Sequence, residues 1–100
     1  MTARRCTVRF TDENGIEHRV EVLAESVYEA AALALRSFNA DPFIHDKPTE
    51  RSALKVCVIA PSAEHALRVE QLRRWVEKAS RSPAEKLARN RIRSLLGMSN

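Results

Sequence analysis

Glycine is almost missing from this chain of one hundred residues: Gly15 and Gly97 are the only two. A loop that cradles phosphate brings several backbone amides close to one anion and needs more glycines than that. Cysteine is as scarce, with Cys6 and Cys57 alone, too few for a disulfide scaffold. The three histidines, His18, His45 and His65, stand on separate stretches, and neither C-x-x-C nor H-x-x-x-H occurs. Metal-ligand spacing is therefore absent and no cofactor is expected. Without grouped reactive side chains the chain is not expected to be an enzyme. Five aromatic residues make no ladder on which bases could stack. No apolar run approaches the roughly 20 residues of a membrane-spanning helix, so no membrane partner is expected. Met1 to Arg5 carries basic residues with no apolar stretch behind them, so a signal peptide is not expected either. A cytoplasmic location, with both cysteines reduced, follows as the expectation.

What is present is clearest between Cys6 and Phe38. Cys6, Val8 and Phe10 alternate with polar neighbours, and so do Ile16, His18, Val20 and Val22. A period of two marks strands buried on one face. Asn14-Gly15 between them suggests a two-residue turn, but parity opposes it. That loop would set Phe10 opposite Arg19, and paired residues share a face. A three-residue loop, Glu13-Asn14-Gly15, instead pairs Phe10 with His18, Val8 with Val20 and Cys6 with Val22. Gly15 then takes the left-handed position of a type I turn with a bulge. Ser26-Val27-Tyr28-Glu29 follows as a capping box, opening a helix over about residues 27–38. Its stripe is Val27, Ala31, Ala34, Leu35 and Phe38, with Leu33 half exposed.

Asn39 to Ser52 has no periodicity and holds Pro42 and Pro48, so it reads as a long loop pinned by Phe43 and Ile44. Ala53 to Ala60 reads as a third strand, apolar enough to be covered on both faces or central in its sheet. A Cys6–Cys57 bridge would require the two strands to be neighbours. Ser62 to Lys78 allows one helix, or a fourth strand over 65–69 followed by a helix over 70–79. The second is preferred because it sets Leu67 and Val69 on one side and buries Leu72, Trp75 and Val76, with Pro61 to Glu64 as the hairpin turn. Ser82-Pro83-Ala84-Glu85 starts the last helix, which runs to Leu96 with Gly97 beyond it. Its apolar face is Ala84, Leu87, Ala88, Ile92, Leu95 and Leu96. The fold class is thus α+β, in the order ββα-ββ-αα. It has a small antiparallel or mixed sheet, one capped helix packed on it and a helical C-terminal segment. Residues 1–79 form the core domain. Residues 80–100 are a basic amphipathic helix that belongs to that domain or extends from it as an interaction arm.

Charge is uneven. Residues 1–60 hold eight basic and nine acidic side chains, and residues 61–100 hold nine and four, for a net +4 overall. Arg73, Arg74, Lys78, Arg81, Lys86, Arg89 and Arg93 are the candidate contacts for nucleic acid or another anion. Glu70–Arg74 and Glu85–Arg89 are spaced as i,i+4 pairs, the ordinary state of a solvated helix face. Leu87, Ile92, Leu95 and Leu96 are the candidate interface. The expected function is a small non-catalytic interaction module that pairs with itself or another protein, with nucleic-acid binding as the alternative. The first 38 residues, strand, three-residue loop, strand and capped helix, resemble the opening of ubiquitin-like β-grasp domains. The unit Ser26-Val27-Tyr28-Glu29-Ala30-Ala31 is similar to the helix start of HicB-like antitoxins. Each likeness spans about a third of the chain and reaches no functional residue, so neither implies a site.

Gly15→Val is expected to cost about 1–2 kcal/mol, since a β-branched side chain is strained in the left-handed region. The denaturant midpoint of the variant measures it.

Overall fold

Asp12 ties the first turn. Its backbone N–H donates to Ile16 O at 2.9 Å, and Gly15 N–H donates back to Asp12 O at 3.0 Å. Gly15 sits at φ 81°, as the bulged three-residue loop requires. The flanking strands are β1 (Arg4–Thr11) and β2 (Glu17–Ala24). Cys6 lies opposite Val22, Val8 opposite Val20 and Phe10 opposite His18, the register that parity demands. The computed structural model describes residues 3–59, 63–78 and 82–98.

The remaining elements are α1 (Val27–Ala40), β3 (Ala53–Val58), β4 (Ala63–Arg68), α2 (Val69–Glu77) and α3 (Pro83–Leu95). The four strands make one sheet in the order β2-β1-β3-β4, antiparallel at every pairing. The chain leaves β2 through α1 and returns as β3 on the far side of β1, a split β-α-β connection. Ser26 Oγ accepts the Glu29 N–H at 3.0 Å and starts α1. Ala30, Ala31 and Ala34 are fully buried, and such small side chains let the helix lie close to the sheet. Residues 65–69 resolve as strand and then helix. Leu67 is the last inward residue of β4 and Val69 opens α2, and both are buried. Of the turn expected over Pro61 to Glu64, Ala63 and Glu64 instead belong to β4, paired with Val58 and Cys57; Pro61 and Ser62, and the strand end expected at Ala60, lie outside the described residues.

One hydrophobic core holds the molecule. Cys6, Val8 and Phe10 of β1, Leu54, Val56 and Val58 of β3 and Leu67 of β4 face α1. Ile92 of α3 joins the same core at 1% exposure, with Leu95, Leu96 and Met98 packed against it. At about 25 cal/mol per Å² of apolar surface removed from water, burial of this kind dominates the stabilisation of so small a domain. The helices cover one face of the sheet. β3 is therefore internal to the sheet but not covered on both sides as its composition suggests. Lys55 and Ile59 stay exposed and Cys57 is half-buried on the outer face. Cys6 points inward and Cys57 outward, so the neighbouring strands hold two free thiols. Burial pushes the Cys6 thiol up from its ordinary pKa.

Of the two apolar residues expected to pin the loop after α1, Ile44 reaches the core and Phe43 does not. Asp41 Oδ1 accepts the Phe43 N–H at 2.9 Å, and this tight turn leaves Phe43 87% exposed while Ile44 goes under. Lys47 donates to the carbonyls of Phe38 and Asp41, placing a cation at the C-terminal end of α1, where the helix dipole favours positive charge. Further on, Ser52 O and Glu50 O accept the N–H groups of Val69 and Glu70 at 3.3 and 3.2 Å, so the loop caps the start of α2.

Three helices meet at Trp75. The Tyr28 ring of α1 stacks on it at 4.4 Å between centroids and 5° between planes, and the Arg89 guanidinium of α3 lies 5.0 Å from its centroid. Trp75→Ala should cost about 3 kcal/mol through lost packing and stacking. Urea unfolding followed by far-UV circular dichroism tests this, and a parent-like midpoint would place Trp75 outside the packed layer.

Candidate interaction surface

Among the described residues, several cations of the C-terminal part are engaged by neighbouring groups of the same chain. Arg89 is 6% exposed; it pairs with Glu85 and donates to Lys78 O while facing Trp75. Arg93 donates to Val76 O at 2.9 Å. These two thus satisfy carbonyls at the C-terminal end of α2, where the helix dipole favours positive charge. Arg73 pairs with Glu50 at 2.8 Å, and Arg74 with Glu70 at 3.8 Å. Arg91 reaches α1, at 2.9 Å from Glu25 and 3.2 Å from Glu29. Lys78 and Lys86 are exposed and make no ion pair among the described residues. Arg81 lies outside them. Of the apolar candidates on α3, Ile92 is inside the core, Leu95 and Leu96 are half-buried against it, and Leu87 stays exposed. The helical spacing of these leucines and Ile92 marks a buried stripe as readily as an interface, and only the packing separates the two.

The uncovered side of the sheet is a surface that composition did not single out. Its residues are those alternating with the core positions: Arg5, Thr7, Arg9 and Thr11 of β1, Glu17, Arg19, Glu21 and Leu23 of β2, and Lys55, Cys57 and Ile59 at β3. Ion pairs run across it. Arg5 lies 3.1 Å from Glu21, Arg9 is 3.5 Å from Glu17 and 3.2 Å from Glu64, and Arg19 is 2.9 Å from Glu17. Exposed pairs of this kind each contribute little to stability. At one end Arg5 lies opposite Leu23 on one side, and its carbonyl accepts the Ile59 N–H on the other. Leu23 is 65% and Ile59 45% exposed there. The alternating polar pattern of each strand predicted a solvent face; that no helix would fold back over it was not written in any one strand.

Depressions are shallow. One of about 320 Å³ lies between the first turn and the 45–52 loop, beside Asp12, His45 and Asp46. Another of about 330 Å³ lies along β4, lined by Val27, Tyr28, His65, Ala66 and Leu67. Among the described residues no cluster of His, Cys, Asp or Glu is placed to hold a metal ion. No helix among them is long and apolar enough to cross a membrane. Comparison with protein-family models, curated proteins and solved structures finds no match.

Electrostatics fix the turn from which β2 departs. Asp12 Oδ1 accepts the N–H groups of Asn14 at 2.9 Å and Ile16 at 3.0 Å, and Oδ2 is 2.8 Å from His18 Nε2. His18 stacks on Phe10 at 5.0 Å. The His18 hydrogen bond first, then the Ile16 and Asn14 amides, hold the Asp12 carboxyl below the usual carboxylate range. A depressed carboxyl stabilises the fold above its unfolded pKa, and that contribution fades as pH falls through the folded value. Asp12→Asn should therefore lower the urea midpoint near neutral pH, and the gap from the parent should close on acidification below about pH 4. A gap that does not change with pH would show that the charge of Asp12 is not what holds the turn.

Proposed function

We propose that this chain is a non-catalytic protein–protein interaction module that self-associates, acting in the cytoplasm. The observation that carries the reading is the one-sided helical layer. Among the described residues it leaves the other face of the sheet uncovered, with Leu23 and Ile59 exposed on it, and leaves β2 and most of β4 as open edge strands. Open strand edges and exposed apolar side chains are what a second polypeptide recognises. The nucleic-acid alternative rests on fewer groups than the charge count suggests. Arg89 and Arg93 are committed to α2, and Arg73 and Arg74 to glutamates.

Gel filtration with light scattering, run with and without mixed nucleic acid at low and physiological salt, tests the two readings together. The expected result is the mass of two chains, unchanged by nucleic acid. The mass of one chain, with a shift caused by nucleic acid at low salt and lost as salt rises, would overturn self-association in favour of the alternative.

A further inference from the structure

The two edges of the sheet are not equivalent. In an antiparallel ladder, residues alternate between those that bond to one neighbour and those that turn both backbone groups the other way. The Asp12 N–H to Ile16 O bond sets the parity of the first hairpin, and the Ile59 N–H to Arg5 O bond sets the same parity on the other side of β1. His18, Val20, Val22 and Ala24 therefore bond to β1. Glu17, Arg19, Glu21 and Leu23 turn their N–H and C=O groups to the open edge, where no group among the described residues meets them. On β4 the outward residues are Glu64, Ala66 and Arg68, and the Arg68 N–H is already taken by Gln71 Oε1 at 2.7 Å as the chain enters α2. β2 is the longer edge and the one with all its outward groups open.

Its side chains are self-complementary. When two copies of β2 run antiparallel about a two-fold axis, outward residues must meet outward residues. The alignment centred on Val20 uses all four from each copy. Arg19 then faces Glu21 of the other copy twice, and Glu17 faces Leu23 twice. Sliding the copies by two residues sets Arg19 against Arg19 or Glu21 against Glu21, so like charges oppose the slipped registers. On the core side Val20 meets Val20 and His18 meets Val22. Val20 and Val22 are left partly exposed in the single chain.

We propose that β2 is a self-pairing edge: two copies of this chain join β2 to β2 about a two-fold axis at Val20, forming one continuous eight-stranded antiparallel sheet. The occupant of the edge is a second copy, since charge alternation and register single out this strand's own sequence as its partner. The proposal rests on the self-association reading and names its surface.

Charge reversal tests it, with circular dichroism confirming that each variant folds. Arg19→Glu alone and Glu21→Arg alone should each weaken the dimer by about tenfold or more, because two attractive pairs become repulsive. Mixing the two single variants, or combining both changes in one chain, should restore it. In a Cys57→Ser background, Val20→Cys should cross-link as a dimer under mild oxidation, because directly opposed residues at this non-bonded position stand about 4.5 Å apart. A parent that is a dimer, with Arg19→Glu and Glu21→Arg without effect and Val20→Cys not cross-linked, overturns the β2 pairing and leaves self-association standing. Cross-linking through Ala66→Cys, in the same background and without that of Val20→Cys, assigns the contact to β4 and equally overturns it. A monomeric parent overturns both.

Discussion

Trp75 is the point on which the helical layer depends. α2 has nine residues, shorter than a helix that persists alone in water. Its ends are held from elsewhere: carbonyls of the 50–52 loop meet its first N–H groups, and Arg93 and Arg89 reach the carbonyls of Val76 and Lys78 at its end. Between those ends Trp75 meets Tyr28 of α1 and Arg89 of α3. One indole thus couples α1, which packs on the strands, to the two helices that follow it. The same contact explains why a basic residue is buried: Arg89 satisfies carboxylate, carbonyl and ring at once, and desolvating a guanidinium is tolerable only with partners of that kind.

That arrangement decides the character of the surface. Cations used to close helix ends and to link α3 to α1 leave little concentrated positive charge on the C-terminal part. The aliphatic residues of α3 divide in the same way, Ile92 into the core and Leu87 into solvent. All helices lie to one side, so the opposite side of the sheet remains a single layer with mixed charge and a small apolar end at Leu23 and Ile59. Among the described residues no third layer covers that face, and the long outer strand keeps a row of backbone groups without partners there.

Much of the local structure was legible in the sequence because short-range constraints dominate there. Pairing parity alone selected the three-residue loop over the shorter turn suggested by Asn14-Gly15, and Gly15 has the positive φ that this loop demands. Ser26 and Ser82 each accept the N–H three residues on, at 3.0 and 3.2 Å, as their spacing to Glu29 and Glu85 implied. The choice of strand then helix near Leu67 and Val69 followed from asking which option buries both. Phe43 went the other way. Its neighbour Ile44 reaches the core, and the turn at Asp41 decides which of two adjacent apolar residues does so, a matter of a few dihedral angles that hydrophobicity does not encode.

The sequence by itself determined the first hairpin and its register, the alternation of β1 and β2, and the capped starts of α1 and α3, because these depend on contacts within a few residues or on a repeating period. Only the tertiary structure decided that the sheet order is β2-β1-β3-β4, that Cys6 and Cys57 lie on opposite faces of adjacent strands, and which arginines are buried, paired or exposed. Those outcomes depend on which faces meet once α1 has crossed the sheet, and on carbonyls left without partners at helix ends far away in the chain. An arginine reads the same in a sequence whether it closes a helix or faces water. The difference is made by an acceptor that folding brings to it, as Val76 O is brought to Arg93 from seventeen residues away.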